Sequence, residues 1–362
     1  MKKITFLVLL SFTYTYSIEE FQDDLIGLIP SKNFVISPLS VHQIVSLAAN
    51  GAKGSTQSQM VSALRGKNLI QLNQENQKIN NILSHSNNLM ISNAIFSMYH
   101  PKQTFVQIAI NKYNSTVGQL NSVSQVNEWC ANKTNNKITN IIDTIDNISL
   151  ILLNALYFKD NWLTPFDAAF TRKEQFNKKQ IVNMMHQTFD DALYYGDSKV
   201  QVLKLFYSNT RYSSLIILPN ENFDINGIKM QGIKEWVGKL VPTKVKLALP
   251  KFTLDYDITL NEVMKKMGMD HAFDQGRADF TNMSEDVELY LSMIKQKAFL
   301  KVDEHGAEAA AVTVMTFDER CMMPDNTKPI EMKVNRPFIF TIEDNSIKNI
   351  GLFYAKITTV KE

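Results

Sequence analysis

The sequence is poor in cysteine, with two, Cys130 and Cys321, in 362 residues. A disulfide framework is thereby excluded, and a chain of this length buries enough apolar surface to do without one. No histidines and cysteines stand together at metal-ligand spacing, so no metal site is read, and no cofactor motif is present. Net charge is also nearly absent: 38 Lys+Arg face 36 Asp+Glu. That balance leaves no electrostatic footprint for nucleic acid or an anionic membrane. Histidines are few: His42, His85, His100, His186, His271 and His305. None sits in a triad-like or G-x-S-x-G setting, which argues against a hydrolase and, more broadly, against an enzyme. Repeats, low-complexity tracts and Gly/Pro/Ser linkers are missing, so residues 18–362 read as one continuous domain.

Apolar residues make up 44% of the chain, enough for a large core. At the N-terminus, Lys2 and Lys3 precede an apolar run over residues 4–10, with small residues Thr15 and Ser17 beyond it. The pattern predicts a signal peptide over residues 1–17, against a buried first helix as the competing reading. The run is far short of the about 20 residues that span a bilayer. A secreted, extracellular protein is therefore expected. Secretion would bring four N-glycosylation sequons into play, at Asn114, Asn132, Asn147 and Asn282.

The first third reads as helical. Ser37-Pro38 opens a helix as N-cap and first helical residue, with apolar positions running on to Asn50-Gly51. Further helices are expected over 55–64, 126–131 and 258–267. From residue 149 strands take over. Residues 150–158 are almost unbroken apolar around Asn154, the pattern of a strand covered on both faces. Strands are also expected at 200–206, 213–218, 244–254, 289–302 and 338–342. Helices first and strands later predict an α+β fold with large, mainly antiparallel sheets.

Residues 301–324 are the unusual stretch: K-V-D-E-H-G-A-E-A-A-A-V-T-V-M-T-F-D-E-R-C-M-M-P. Alanines favour helix and the following β-branched residues favour strand, and neither piece is long. Taken alone, this is an ordinary connecting segment. The motifs around it change that reading. Asn33-Phe34-Val35-Ile36-Ser37-Pro38-Leu39-Ser40, Gly51-Ala52-Lys53-Gly54, Leu153-Asn154-Ala155-Leu156-Tyr157-Phe158-Lys159 with Trp162, Leu249-Pro250-Lys251-Phe252, Lys297-Ala298-Phe299 and Asn335-Arg336-Pro337-Phe338 follow one another in order. Together with Asp303-Glu304-His305-Gly306, this series resembles the serpins, the serine protease inhibitor family, over almost the whole chain. Three positions depart from the family pattern: Ala307 in the hinge, Gln296 where a histidine is usual, and Ala355 in place of a glycine.

The resemblance implies about nine helices packed on three β-sheets, with an exposed reactive-centre loop over about 304–324. It implies no catalytic residue, because the nucleophile belongs to the protease. The protease cuts a bait bond, and the cut loop inserts into the central sheet as a new strand. Glu304, Gly306, Ala307, Glu308, Ala309, Ala310 and Ala311 form the hinge. Alternation then turns Ala307, Ala309, Ala311, Thr313, Met315 and Phe317 inward. None is charged, and Glu308 falls on the outward set, which avoids the several kcal/mol cost of a buried unpaired charge. Ser37, Pro38, Ser40, Asn154 and Trp162 stand where the family places its shutter and breach. Sixteen residues beyond Glu304 lies Arg320, so the bait bond is Arg320–Cys321. A planar cation there suits a trypsin-like serine protease, trapped as a covalent 1:1 complex with a monomeric inhibitor. Met322 or Met323 would instead serve a chymotrypsin-like or elastase-like target, and a neighbouring bond could serve a cysteine protease. A non-inhibitory carrier or chaperone is the competing role. Residues 71–88 hold a single lysine, Lys78, so strong heparin binding is not expected there.

Overall fold

The computed structural model describes residues 17–30, 32–84, 86, 88–285, 289–307, 328–347 and 350–361. The α+β reading holds. Among these residues eight α-helices accompany two hydrogen-bonded sheets of nine and seven strands. The family pattern led us to expect three sheets. Two of them are joined here by one 17-residue strand, Gln180–Gly196. Its first part pairs with Arg172–Phe176, its middle with Val241–Pro250, and its last residues with Val200–Phe206. A strand that long bends from one sheet into the next without breaking its ladder.

The helix Pro38–Gly51 forms because Ser37 caps it, accepting from the Ser40 amide at 3.3 Å, and Pro38 sits where no amide donor is needed. All 14 of its residues are buried. Small residues such as Ser40, Ser46, Ala48 and Ala49 let it lie close beneath the seven-stranded sheet. That sheet runs Thr116–Gln119, Leu89–Ser97, Leu150–Phe158, Leu291–Val302, with Phe252–Thr259 paired to the last. Every residue of Leu150–Phe158 is buried, as its unbroken apolar run requires.

The middle of this sheet departs from the antiparallel expectation. Leu150–Phe158 and Leu291–Val302 are direct neighbours and run parallel, from Leu291↔Leu150 to Phe299↔Tyr157. The strand expected over 244–254 is in fact two. Val241–Pro250 ends in the nine-stranded sheet and Phe252–Thr259 begins in the other, so the chain crosses between sheets at Lys251. The helix expected over 258–267 is correspondingly shorter, Asn261–Lys266, its first residues being the end of that second strand.

Candidate functional site

Three strands and a helix meet at a buried polar knot under the seven-stranded sheet. The Asn154 carboxamide donates to Ser40 Oγ and, at 2.5 Å, to Asn93 Oδ1. Its own oxygen accepts from Gln296 Nε2 at 2.6 Å. Gln296 also takes both backbone groups of Ser37, accepting from its amide at 2.9 Å and donating to its carbonyl at 3.3 Å. All five side chains are at most 5% exposed. Sequence reasoning placed Ser37, Pro38, Ser40 and Asn154 here and marked Gln296 only as a departure. It missed Asn93, whose one signal was a polar residue inside the apolar run 89–97. The knot fastens Leu291–Val302 to both its parallel neighbour and the helix cap. Buried polar groups of this kind are costly to leave unpaired, about 1–3 kcal/mol each, so the knot resists separation of the two central strands.

At the far end of those strands lies the segment expected to form the hinge. After Val302 the chain turns at Asp303-Glu304-His305, closed by reciprocal backbone bonds between Asp303 and Gly306 of 3.0 and 3.2 Å. Gly306–Ala307 then runs back antiparallel, with Ala307 opposite both Val302 and Asp160. The hinge is thus wedged between the continuations of the two central strands. Gly306 has φ +149°, and a Cβ there would run into the Asp160 carbonyl oxygen, so only glycine fits. Ala307, the first inward residue, is fully buried.

Trp162 roofs the turn. Its backbone amide donates to the His305 carbonyl at 2.7 Å and its indole to the Asp303 carbonyl at 3.1 Å, while its ring stacks on Tyr207 at 4.5 Å. Glu304 is 6% exposed and is held by Lys251 Nζ at 2.8 Å and the Thr171 hydroxyl at 2.8 Å. Burial alone would raise its carboxyl, but the hydrogen bonds from Lys251 and Thr171 hold it below the ordinary carboxylate range. Lys251 reaches Glu304 because it stands where the chain crosses between sheets. Neither Lys251 nor Thr171 was identified from the sequence, since only the fold brings residues 171, 251 and 304 together.

Of the remaining expected site residues, Glu308, Ala309, Ala310, Ala311, Thr313, Met315, Phe317, Arg320 and Cys321 lie outside the described residues. Cys130 is buried, and desolvation pushes its thiol up to about 12, which leaves it inert. The Asn282 amide donates to the Ala52 carbonyl at 2.9 Å, Asn114 caps the helix Gln103–Tyr113 with φ +47°, Asn147 has φ +58°, and Asn132 is an exposed helical residue. Among the described residues no group of three or more histidine, cysteine or carboxylate side chains could hold a metal ion.

A family model described as Serpin (serine protease inhibitor) matches residues 20–360. Human Serpin B8 is 31% identical over 357 residues, covering 91% of this chain and 93% of its own. Leukocyte elastase inhibitor of Xenopus laevis is 30% identical, covering 90% and 93%. Among solved structures, the thermophilic serpin tengpin in the native state superposes with a TM-score of 0.85 at 30% identity, covering 95% of this chain and 94% of tengpin.

These relatives overturn the expectation of an extracellular protein. Serpin B8 and leukocyte elastase inhibitor are intracellular clade B serpins, and similarity to them along nine-tenths of the chain points against secretion. The physical reason for the misreading is that a short apolar run behind two lysines is the composition of a leader and of a docked helix alike. Ser17, the expected last residue of the leader, opens the helix Ser17–Leu28 and is buried, its amide and hydroxyl both donating to Glu75, at 3.2 and 2.7 Å. With secretion falls the ground for reading Asn114, Asn132, Asn147 and Asn282 as glycosylation sites.

Proposed function

The chain belongs to the serpin family, and from that premise we propose that it is a suicide-substrate inhibitor of trypsin-like serine proteases. One observation carries the reading. The two central strands lie zipped together in parallel, while Gly306 and Ala307 already occupy the first rung of a strand between their upper ends. Continued downward, residues 308–317 would run antiparallel to both neighbours. One slanted parallel pairing would be replaced by two antiparallel ones, which are slightly stronger per residue. The energy of the trap lies in that exchange.

The chemistry of the first step is the protease's own. Its serine oxygen attacks the Arg320 carbonyl, an ester forms, the Arg320–Cys321 peptide bond breaks, and the proton passes through the protease histidine to the Cys321 amine. Release of Cys321 frees the loop to insert. The Glu304–Lys251 and Glu304–Thr171 contacts keep the root of the loop in place, so that insertion proceeds from Ala307 downward. Arg320 sets which protease is caught, through its planar cation. Nothing in this reading requires heparin, and strong binding through the helix Leu69–Leu83 is not proposed.

Mixing the protein with trypsin tests the proposal. A complex that survives SDS, with a released fragment beginning at Cys321, is the expected result. Cleavage without a stable complex would favour a non-inhibitory role, and a fragment beginning at Met323 would move the bait to Met322. Ala309→Arg should convert the inhibitor into a substrate, because a buried unpaired charge costs several kcal/mol on insertion. Unchanged inhibition by that variant would refute insertion.

A further inference from the structure

Charge is balanced over the whole chain, but one corner of the molecule is strongly basic. Arg172–Phe176 and the start of Gln180–Gly196 form a hairpin joined by Asn177-Lys178-Lys179. The Phe176 carbonyl accepts from the Lys179 amide at 3.2 Å, and Asn177 and Lys178 between them have φ +51° and +57°. That is a type I′ turn, whose second central position ordinarily holds glycine. A lysine stands there instead, carried in a backbone conformation that disfavours a side chain.

The turn is held from two sides. The Asn177 amide donates to the Asn335 carbonyl at 2.7 Å. The Gln180 carboxamide donates to the Val360 carbonyl and accepts from the Val360 amide at 3.0 Å. Just before Val360, the Thr358 and Thr359 amides donate to Asn33 Oδ1 at 2.7 and 3.0 Å, which brings Lys32 to the same corner. Lys32, Lys173, Lys178 and Lys179 are all exposed, and none has an ion-pair partner among the described residues. The one carboxylate among residues 172–181, Glu174, is taken up by Lys333, Arg172 and His186. Pairing of Ile181 with Gln175 puts that isoleucine on the outward face with Lys173, where it is 60% exposed. Charges on Arg172–Phe176 alone would serve to guard an edge strand. Lys178 and Lys179 lie in the turn, not on the edge, and an exposed isoleucine guards nothing, so edge protection does not account for the group.

We propose that this corner docks on an anionic phospholipid membrane surface, with the lysines over the headgroups and Ile181 entering between them. Opposite charge supplies an attraction that salt screens. An apolar side chain among the cations supplies the second contact, the combination by which a protein lies on a bilayer interface. The turn projects, with all three of its residues exposed, and a projecting tip meets a broad surface where an acidic peptide would need a groove to hold it. The reading stands apart from the inhibitory one and does not depend on it.

Flotation of the full chain with vesicles tests it, using phosphatidylcholine alone or with about one-third phosphatidylserine. Binding is expected to the anionic vesicles only, weakening as salt rises toward physiological strength. Lys178→Glu combined with Lys179→Glu should weaken it by about tenfold or more, since each lysine near a charged bilayer is worth about fivefold in affinity. Lys178→Gly removes one cation and relieves the positive φ, so binding should fall about fivefold while Tm stays level or rises. A loss of binding in that variant therefore does not come from misfolding. Ile181→Ser should weaken binding severalfold and leave its salt dependence unchanged. Equal binding to neutral and anionic vesicles, no binding at low salt, or full binding by the charge-reversed protein would overturn the proposal. Displacement from the vesicles by soluble polyglutamate, with no effect of Ile181→Ser, would also overturn it and assign the corner to an acidic polypeptide.

Discussion

Two side chains in the hinge carry separate jobs. Gly306 is there because nothing larger fits against the Asp160 carbonyl at its positive φ. Gly306→Ala should lower stability by about 1–3 kcal/mol, read as a fall in Tm, because strain and a backbone clash must both be relieved. Glu304 is tethered by Lys251 and Thr171, whose hydrogen bonds depress its carboxyl against the effect of burial. A depressed carboxyl contributes stability above its unfolded value of about 4.3, and that contribution is lost as pH falls through the folded value. Glu304→Gln should therefore flatten the acid limb of the stability curve below about pH 4.3 while lowering stability at pH 7. An acid limb of the same slope in the variant would show that the tether carries no weight.

On the proposed mechanism, strands and their fastenings decide when the loop can enter. Gln296 joins Leu291–Val302 to Asn154 and to the Ser37 cap, so Gln296→Leu would strand Asn154 Oδ1 and the Ser37 amide. A loss of about 1–3 kcal/mol per unpaired group is expected in the closed form. In the proposed insertion the two central strands part and these bonds are lost, so spontaneous insertion should accelerate, measurable as faster loss of inhibitory activity on incubation. Later in the sequence, Ile330–Lys333 is fastened by Lys333 to Glu174 at 2.5 Å. Burial would raise the Glu174 carboxyl, but hydrogen bonds from Lys333, Arg172 and His186 bring it down to about 2. Its contribution is complete above about pH 4.3 and disappears as pH falls through about 2. Limited proteolysis between residues 328 and 333 should accordingly rise at low pH in the parent, and already at pH 7 in Glu174→Gln.

For the molecule as a whole, the proposed trap means that the observed arrangement is not the most stable one the chain can reach. Cutting the loop and letting about ten residues pair on both sides adds backbone bonds worth about 1 kcal/mol each. For a chain of this size that corresponds to a rise in Tm on the order of 10–20 °C. A cleaved protein that melts with the intact one would contradict insertion. On that proposal, what holds the intact form back is local: a knot of five side chains and the zipped parallel pairing beside it.

Much of this was open to reading before any coordinates. The strand Leu150–Phe158 was visible because burial on both faces demands an unbroken apolar run, and the helix Pro38–Gly51 because capping is chemistry within four residues. Gly306 was visible for the same local reason, a glycine where the chain must turn. The break at Lys251 was not, since a strand that leaves one sheet and enters another keeps the same extended pattern. Nor was the ion pair of Lys251 with Glu304, the place of Asn93 beside Asn154, or the parallel contact of the two central strands, all of which join residues more than 50 positions apart. Local alternation and capping are written along the chain; which distant polar groups share a buried contact is settled only when the sheets close over the core and every buried donor has to find an acceptor.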